Sequence, residues 1–190
     1  SLSEGIVTGP ADLGEIEVLH HPNGIELRMW LPNNHAQKLA ARKRTMTGPV
    51  GCGLCGIDSL DQAMRLPPPL PADNLHLTTS DIGAAMDGLR ASQPLHDETR
   101  AVHAAGFFVP GQGIITARED VGRHNALDKL CGALARGGIA PPSGAIVLTS
   151  RVSVDMVQKC AMFGAPCLIA ASAPTTAGVA LAETAGITLA

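Results

Sequence analysis

The stretch Gly144-Ala-Ile-Val-Leu-Thr-Ser-Arg-Val-Ser-Val-Asp-Met-Val-Gln-Lys-Cys-Ala-Met-Phe-Gly-Ala-Pro-Cys-Leu-Ile-Ala-Ala171 decides the fold class. Two short apolar runs, Ala145–Leu148 and Cys167–Ala170, flank a helix read over Ser153–Phe163. Gly144–Leu148 and Pro166–Ala171 therefore read as strands covered on both faces, as in the parallel part of an α/β sheet.

Working outward, the alternation continues on both sides. Ala101–Val109 reads as an apolar strand containing His103. Pro110-Gly111 is a turn, and Gly113–Ala117 is a second strand. Gly122–Arg136 reads as a helix ending before Gly137-Gly138, and Thr176–Ala185 as another. Ser80–Ser92 is helical, capped by Ser80 or Asp81, with Ile82, Ala85, Met86 and Leu89 on one face. Upstream, Glu15–Leu19 and Gly24–Leu31 alternate with period two around His21-Pro22-Asn23-Gly24, which predicts a β-hairpin with one wet face. Asn34–Arg44 reads as a short helix capped by Asn33 or Asn34. Leu66–Asp73 is stiffened by prolines and is the one internal boundary. The expected division is a portion over 1–66, a connector over 67–73 and an α/β domain over 74–190.

The 190 residues are 45% hydrophobic but only 2% aromatic, so the core is built from Ala, Val, Leu and Ile. A net charge of −3 without a basic run argues against a duplex nucleic-acid footprint, and few aromatics are present for base stacking. The longest apolar run, near Ala165–Ala173, is broken by Pro166 and too short to span a bilayer. No basic n-region precedes an apolar stretch, so no export signal is read. Five cysteines is an odd count, which suits free thiols in a reducing cytoplasm. Cys131, Cys160 and Cys167 lie in patterned apolar stretches and read as buried structural thiols.

The other two thiols, Cys52 and Cys55, sit in Thr47-Gly-Pro-Val-Gly-Cys-Gly-Leu-Cys-Gly56. A Cys-x-x-Cys pair brings two sulfurs close enough to act together in disulfide exchange, sulfur transfer or metal ligation. Four glycines let a partner approach closely, so these thiols reach rather than pack. Half of a zinc site would look the same. Arg42-Lys43-Arg44 runs into the loop and either ends a solvated helix or favours the thiolate. Ile57–Arg65 reads as a helix leaving the loop, its N-terminus near Cys55.

Ligands of α/β sheets sit beyond the carboxyl ends of strands. Three polar clusters fall there: Arg118–Asn125 at the start of a helix, Thr149–Ser153 leading into a helix, and Ala171–Thr176. Capping explains Asp120, Ser150 or Ser153, and Thr175. It does not explain Arg118, Arg123, His124 and Arg151 at one sheet edge, which suit an anionic ligand. No Gly-x-Gly-x-x-Gly follows the strands. For His103, a satisfied core histidine is the competing reading.

Arg118-Glu-Asp-Val-Gly-Arg-His-Asn-Ala-Leu-Asp-Lys129 resembles the FdhD/NarQ family, the formate dehydrogenase accessory sulfurtransferases. The resemblance continues through Cys52-Gly-Leu-Cys55-Gly, the residues around His103, Leu148–Lys159, Gly164–Ala173 and the final helix. It implies a cytidine-deaminase-like α/β fold: a mixed sheet flanked by helices, with a small N-terminal β portion and a glycine-rich Cys-x-x-Cys loop. The deaminase zinc signature is absent, since His103-Ala-Ala105 lacks the glutamate and no Pro precedes a Cys-x-x-Cys. No catalytic metal is expected.

The family implies a cytoplasmic sulfur carrier. A cysteine desulfurase would hand sulfur to Cys52 as a persulfide, with Cys55 assisting. The sulfur would pass to the molybdenum cofactor in its bis-guanine-dinucleotide form, for formate dehydrogenase. The cofactor, a guanine-nucleotide ligand, would meet His103, Arg118, Asp120, Gly122, Arg123, His124, Asn125, Thr149, Ser150, Arg151, Ser153 and Ser172. A homodimer is expected, without nucleic-acid or membrane partners. Family members carry a β-rich portion upstream and a Gly-Phe-x-Arg-like segment downstream, so a chain truncated at both ends is expected. Two further readings compete: a cofactor-binding chaperone with incidental thiols, and a zinc site shared by Cys52 and Cys55 of two subunits.

Overall fold

The computed structural model describes residues 5–22, 24–41, 70 and 75–190. Cys52, Cys55, the expected helix over 57–65 and nearly all of the connector lie outside the described residues. Leu70, inside the connector, is described: its N–H donates to the Ala185 carbonyl at 3.0 Å, and its side chain packs on the core.

The expected α/β architecture is present. Five strands form a mixed sheet in the order β4-β3-β5-β6-β7: β3 (His103–Val109), β4 (Gly113–Asp120), β5 (Ala145–Leu148), β6 (Cys167–Ala170) and β7 (Thr188–Leu189). β3 runs antiparallel to both β4 and β5, whereas β5, β6 and β7 run parallel. The apolar runs Ala145–Leu148 and Cys167–Ala170 are thus interior strands, as their lack of alternation requires.

Side-chain alternation divides the core between two faces. Ala105, Phe107, Ile146, Leu148 and Leu168 share one cluster with α4 (Arg123–Arg136), α5 (Val154–Phe163) and α6 (Thr176–Ala185). Ala104, Phe108, Ala145, Val147 and Ile169 point the other way, onto Ala85 and Leu89 of α2 (Thr79–Ala91). Gly106 permits the close approach of α2, since a Cβ there would lie 2.8 Å from Leu89 Cδ1.

α2 begins one residue earlier than expected, and its cap is Thr78 rather than Ser80 or Asp81. Thr78 Oγ1 accepts from the Asp81 N–H at 3.2 Å, and the Asp81 carboxylate accepts from the Thr78 N–H at 2.9 Å, a reciprocal capping box. Thr78→Ala is expected to lower stability by about 1 kcal/mol, read as a shifted urea midpoint at unchanged m-value.

The hairpin forms between β1 (Ile16–His21) and β2 (Gly24–Met29), before α1 (Asn33–Ala41). Its expected single wet face is corrected. Ile16 pairs with Met29 and Val18 with Leu27 on the apolar side, yet Val18 is 52% and Leu27 54% exposed. The other side is also wet, with Arg28 paired to Glu26 and Glu17. The hairpin stands off the main sheet, so nothing among the described residues covers its apolar side.

Besides the single 3-10 turns Pro10–Asp12 and Pro141–Ser143, a helix and a strand among the described residues were not expected. One is α3 (Pro94–Thr99), begun by Pro94 at the first helical position, where a missing N–H costs nothing. The other is β7, which closes the sheet edge.

Candidate functional site

Because β3 is antiparallel to β5, its first residue lies at the carboxyl end of β5 and β6. His103 pairs with Asp120, the last residue of β4. Thr149 follows β5 and binds across to β3: its Oγ1 accepts from the Ala104 N–H at 2.9 Å. The three polar clusters therefore gather at one end of the sheet. Arg118, Glu119 and Asp120 do so as part of β4, correcting the reading that placed them at the start of a helix; the strand runs on because it pairs with His103–Ala105.

A cleft of about 650 Å³ opens at this end. Its sheet side is His103, Thr149 and Ala171, and its other wall comes from α2 and α3. Arg90, Gln93, His96 and Arg100 on that wall were absent from the expected set. Among the described lining residues Arg90 and Arg100 face one acid, Asp87, and Arg100 also pairs with Asp97 at 3.4 Å on the exposed surface, so the cleft can receive an anion chiefly at Arg90. Gln93 is 5% exposed and yet lines the cleft, at the foot of that wall. His103 is half-buried at the strand's first residue, so the competing core-histidine reading fails on position.

A second group forms where α4 meets α5. α4 starts after Gly122, which supplies no side-chain cap, and its first turn carries Arg123 and His124 but no acid. A guanidinium at the positive end of the helix dipole is unfavourable until an anion joins it. His124 Nδ1 lies 2.7 Å from Asp155 Oδ2, with both side chains nearly buried. Among the described residues, both imidazole nitrogens, Asp155 Oδ2 and Arg123 Nε have no hydrogen-bond partner. Buried polar atoms of this kind are ordinarily satisfied by water or a ligand. Asp155 is anchored on its other oxygen, which accepts from Ser153 Oγ at 2.5 Å.

Burial lowers the pKa of His124 most; Asp155 opposes that, and Arg123 and Lys159 add to it. Burial and then Arg123 lower His103 likewise. Both imidazoles titrate below the 6.5 of a free histidine. The unfolded chain then binds more protons than the folded one just below that value, so stability falls as pH drops. A falling urea midpoint from about pH 7 to about pH 5 is expected, and a constant one would contradict the shifts.

The remaining expected residues are placed less uniformly. Asp120 Oδ1 accepts from the Gly122 N–H at 2.9 Å and from Asn125 Nδ2 at 3.1 Å, and Lys129 pairs with its other oxygen. Burial pushes the Asp120 carboxyl up, but the Lys129, Gly122 and Asn125 contacts outweigh it and leave the pKa lowered. Arg118 does not join the group: it is exposed on the edge strand and donates to Thr116 Oγ1 and the Ala117 carbonyl. Ser150 is buried and donates to the Arg151 carbonyl, while Arg151 itself is exposed. Ser172 is half-buried after β6. Thr175 caps α6, accepting from the Gly178 N–H at 3.1 Å. Among the described residues, no three His, Cys, Asp or Glu side chains gather as a metal site would need, and no helix is long and apolar enough to cross a membrane.

All three described cysteines are buried. Burial, then the Asp128 charge, pushes the Cys131 thiol up to about 12, and burial pushes Cys160 well above its ordinary value.

A family model described as FdhD/NarQ matches residues 1–190. The chain belongs to the FdhD/NarQ family. Relatives named "Sulfur carrier protein FdhD" from Agrobacterium fabrum and Brucella abortus are 49% and 50% identical over 189 residues, covering 100% of this chain and 70% of each relative. A solved structure, described as a formate dehydrogenase accessory protein from Desulfotalea psychrophila, is 26% identical with a TM-score of 0.69. It covers 98% of this chain and 67% of that one. The FdhD/NarQ chain and this structure share the fold described above.

Proposed function

We propose that this FdhD/NarQ chain is a cytoplasmic sulfur carrier for formate dehydrogenase, with Cys52 as the carrier thiol. The observation that supports the reading is where the other thiols lie. Sulfur exchange needs an accessible thiolate. Cys131, Cys160 and Cys167 are buried, and the first two are held protonated. Of five cysteines, Cys52 and Cys55 remain.

In this reading the Cys52 thiolate attacks the outer sulfur of a cysteine desulfurase persulfide. A new sulfur–sulfur bond forms on Cys52, and the old one breaks with its electron pair left on the desulfurase thiolate. Cys55, with two residues between, then attacks the inner sulfur as its thiolate and closes a Cys52–Cys55 disulfide. Hydrosulfide leaves toward the client, its two electrons drawn from the thiols. A cellular thiol resets the pair.

The client is the molybdenum cofactor in its bis-guanine-dinucleotide form, whose diphosphates suit the cationic cleft. Arg90, His96, Arg100 and His103 would line its path, and Arg123 with the uncapped start of α4 would meet a phosphate. Ser150, Arg151 and Ser172 lie at the same sheet end. A homodimer acting with the desulfurase and formate dehydrogenase completes the proposal.

The test is the intact mass of the wild-type chain after incubation with a cysteine desulfurase and cysteine. A gain of one or more sulfur atoms, reversed by reductant, is expected. No gain would favour the chaperone reading.

A further inference from the structure

The cationic wall of the cleft rests on a six-residue helix, α3, too short to hold itself in water. What holds it is not local. The Glu119 carboxylate, on β4, accepts from the Leu95 N–H at 2.9 Å with one oxygen and from the His96 N–H at 2.8 Å with the other. Partners more than twenty residues away in sequence thereby satisfy two otherwise open donors of the first turn. The charge also faces the positive end of the helix. Glu119 is itself fixed, because its residue pairs with Ala104 in the sheet and its carbonyl accepts from Lys129 Nζ at 3.1 Å.

We propose that Glu119 is a positioning residue for the cleft: its carboxylate clamps the start of α3 and so places Gln93, His96 and Arg100 opposite His103. Gln93 precedes the helix, His96 lies in its middle, and Arg100 ends it in the left-handed conformation at φ 55°. All three line the cleft. Glu119 does not, so it acts on a ligand only through α3. Two charge-assisted hydrogen bonds to one short helix tie α3 to β4. The proposal rests on the reading of the cleft as the site of a phosphorylated ligand.

The probe is GDP, titrated calorimetrically into the full chain. Glu119→Ala is expected to weaken binding about tenfold, and Glu119→Gln less, since one neutral acceptor oxygen stays. The Leu95 and His96 amides are expected to exchange faster in Glu119→Ala while the amides of β3 and β5 keep their rates. His96→Ala is expected to weaken GDP binding in the wild-type background and to add nothing to Glu119→Ala, the coupling expected when one residue acts through the other. Should the Ala variant not fold, Glu119→Gln carries the same comparisons. Unchanged affinity, additive losses, or faster exchange throughout the sheet would each overturn the proposal. If Arg90→Ala weakens binding and Glu119→Ala does not, only the proposal fails. If the wild type binds no GDP, the cleft reading fails and takes the proposal with it.

Discussion

Cys52→Ala is expected to gain no sulfur from a cysteine desulfurase and cysteine, where the wild type gains at least one atom. The expectation follows from thiolate supply. A thiol titrating at about 12 is ionised in roughly one molecule in 10⁵ at neutral pH, which removes Cys131 as a nucleophile. Cys160 is further suppressed by complete burial and by its thiol neighbours. The loss in Cys52→Ala is therefore expected to be complete rather than partial. Cys131→Ala is expected to load as the wild type does. GDP affinity is expected to be the same in Cys52→Ala and the wild type, because the arginines and histidines that line the cleft among the described residues are unchanged. Sulfur loading of Cys52→Ala would move the carrier role to Cys55. Formate dehydrogenase activation surviving loss of both thiols would make the protein a chaperone.

The sheet was legible because its strands obey two simple rules. Continuous apolar runs at Ala145–Leu148 and Cys167–Ala170 mark strands buried on both faces, and the intervening glycines and prolines mark their ends. What escaped the sequence depends on long-range pairing. Arg118–Asp120 look like a polar loop until they are seen opposite His103–Ala105. β7 is two residues long and exists only because β6 offers an open edge. α3 has one local signal, Pro94, while its stabilising carboxylate is supplied by another strand. The Thr78–Asp81 capping box was written in the sequence, but four successive capping candidates hid which one acts.

The candidate site divided along the same line. Residues following strand ends, such as Thr149, Arg123 and His124, could be placed at this sheet end from the sequence because topology alone brings such positions together. Arg90 and Arg100 were missed because each belongs to a different element, and nothing in the spacing says that α3 folds back over the sheet. Asp155 was missed because its burial and its contact with His124 depend on α5 packing beside α4. Arg118 was included on charge alone, and the edge strand turns it toward Thr116.

Phe107→Ala is expected to lower stability by about 3–5 kcal/mol, enough to threaten the fold of a domain with ordinary reserves. Only three phenylalanines are present in the chain, and Phe107 is wholly buried in β3, the strand paired on both sides. Its ring faces the cluster that joins the sheet to α4 and α5, where Leu127, Leu130, Leu134 and Met156 are also fully buried. Leucine, alanine and cysteine make up much of the buried cluster around it, so refilling of a phenyl-sized void is expected to be incomplete and the cavity cost to stay within this range. For a domain of this size the loss corresponds to a fall in Tm of about 6–20 °C. Circular dichroism is the measurement, since Trp30 is half-exposed on the hairpin and reports poorly on this core. Phe107→Leu, which keeps most of the volume, is expected to cost less than half as much. At a temperature where Phe107→Ala remains folded, sulfur loading per folded molecule is expected to equal that of the wild type. A large loss of loading there would mean that the core and the carrier thiols are coupled. A change below about 1 kcal/mol would mean that the sheet and its helices pack less tightly than the structure describes.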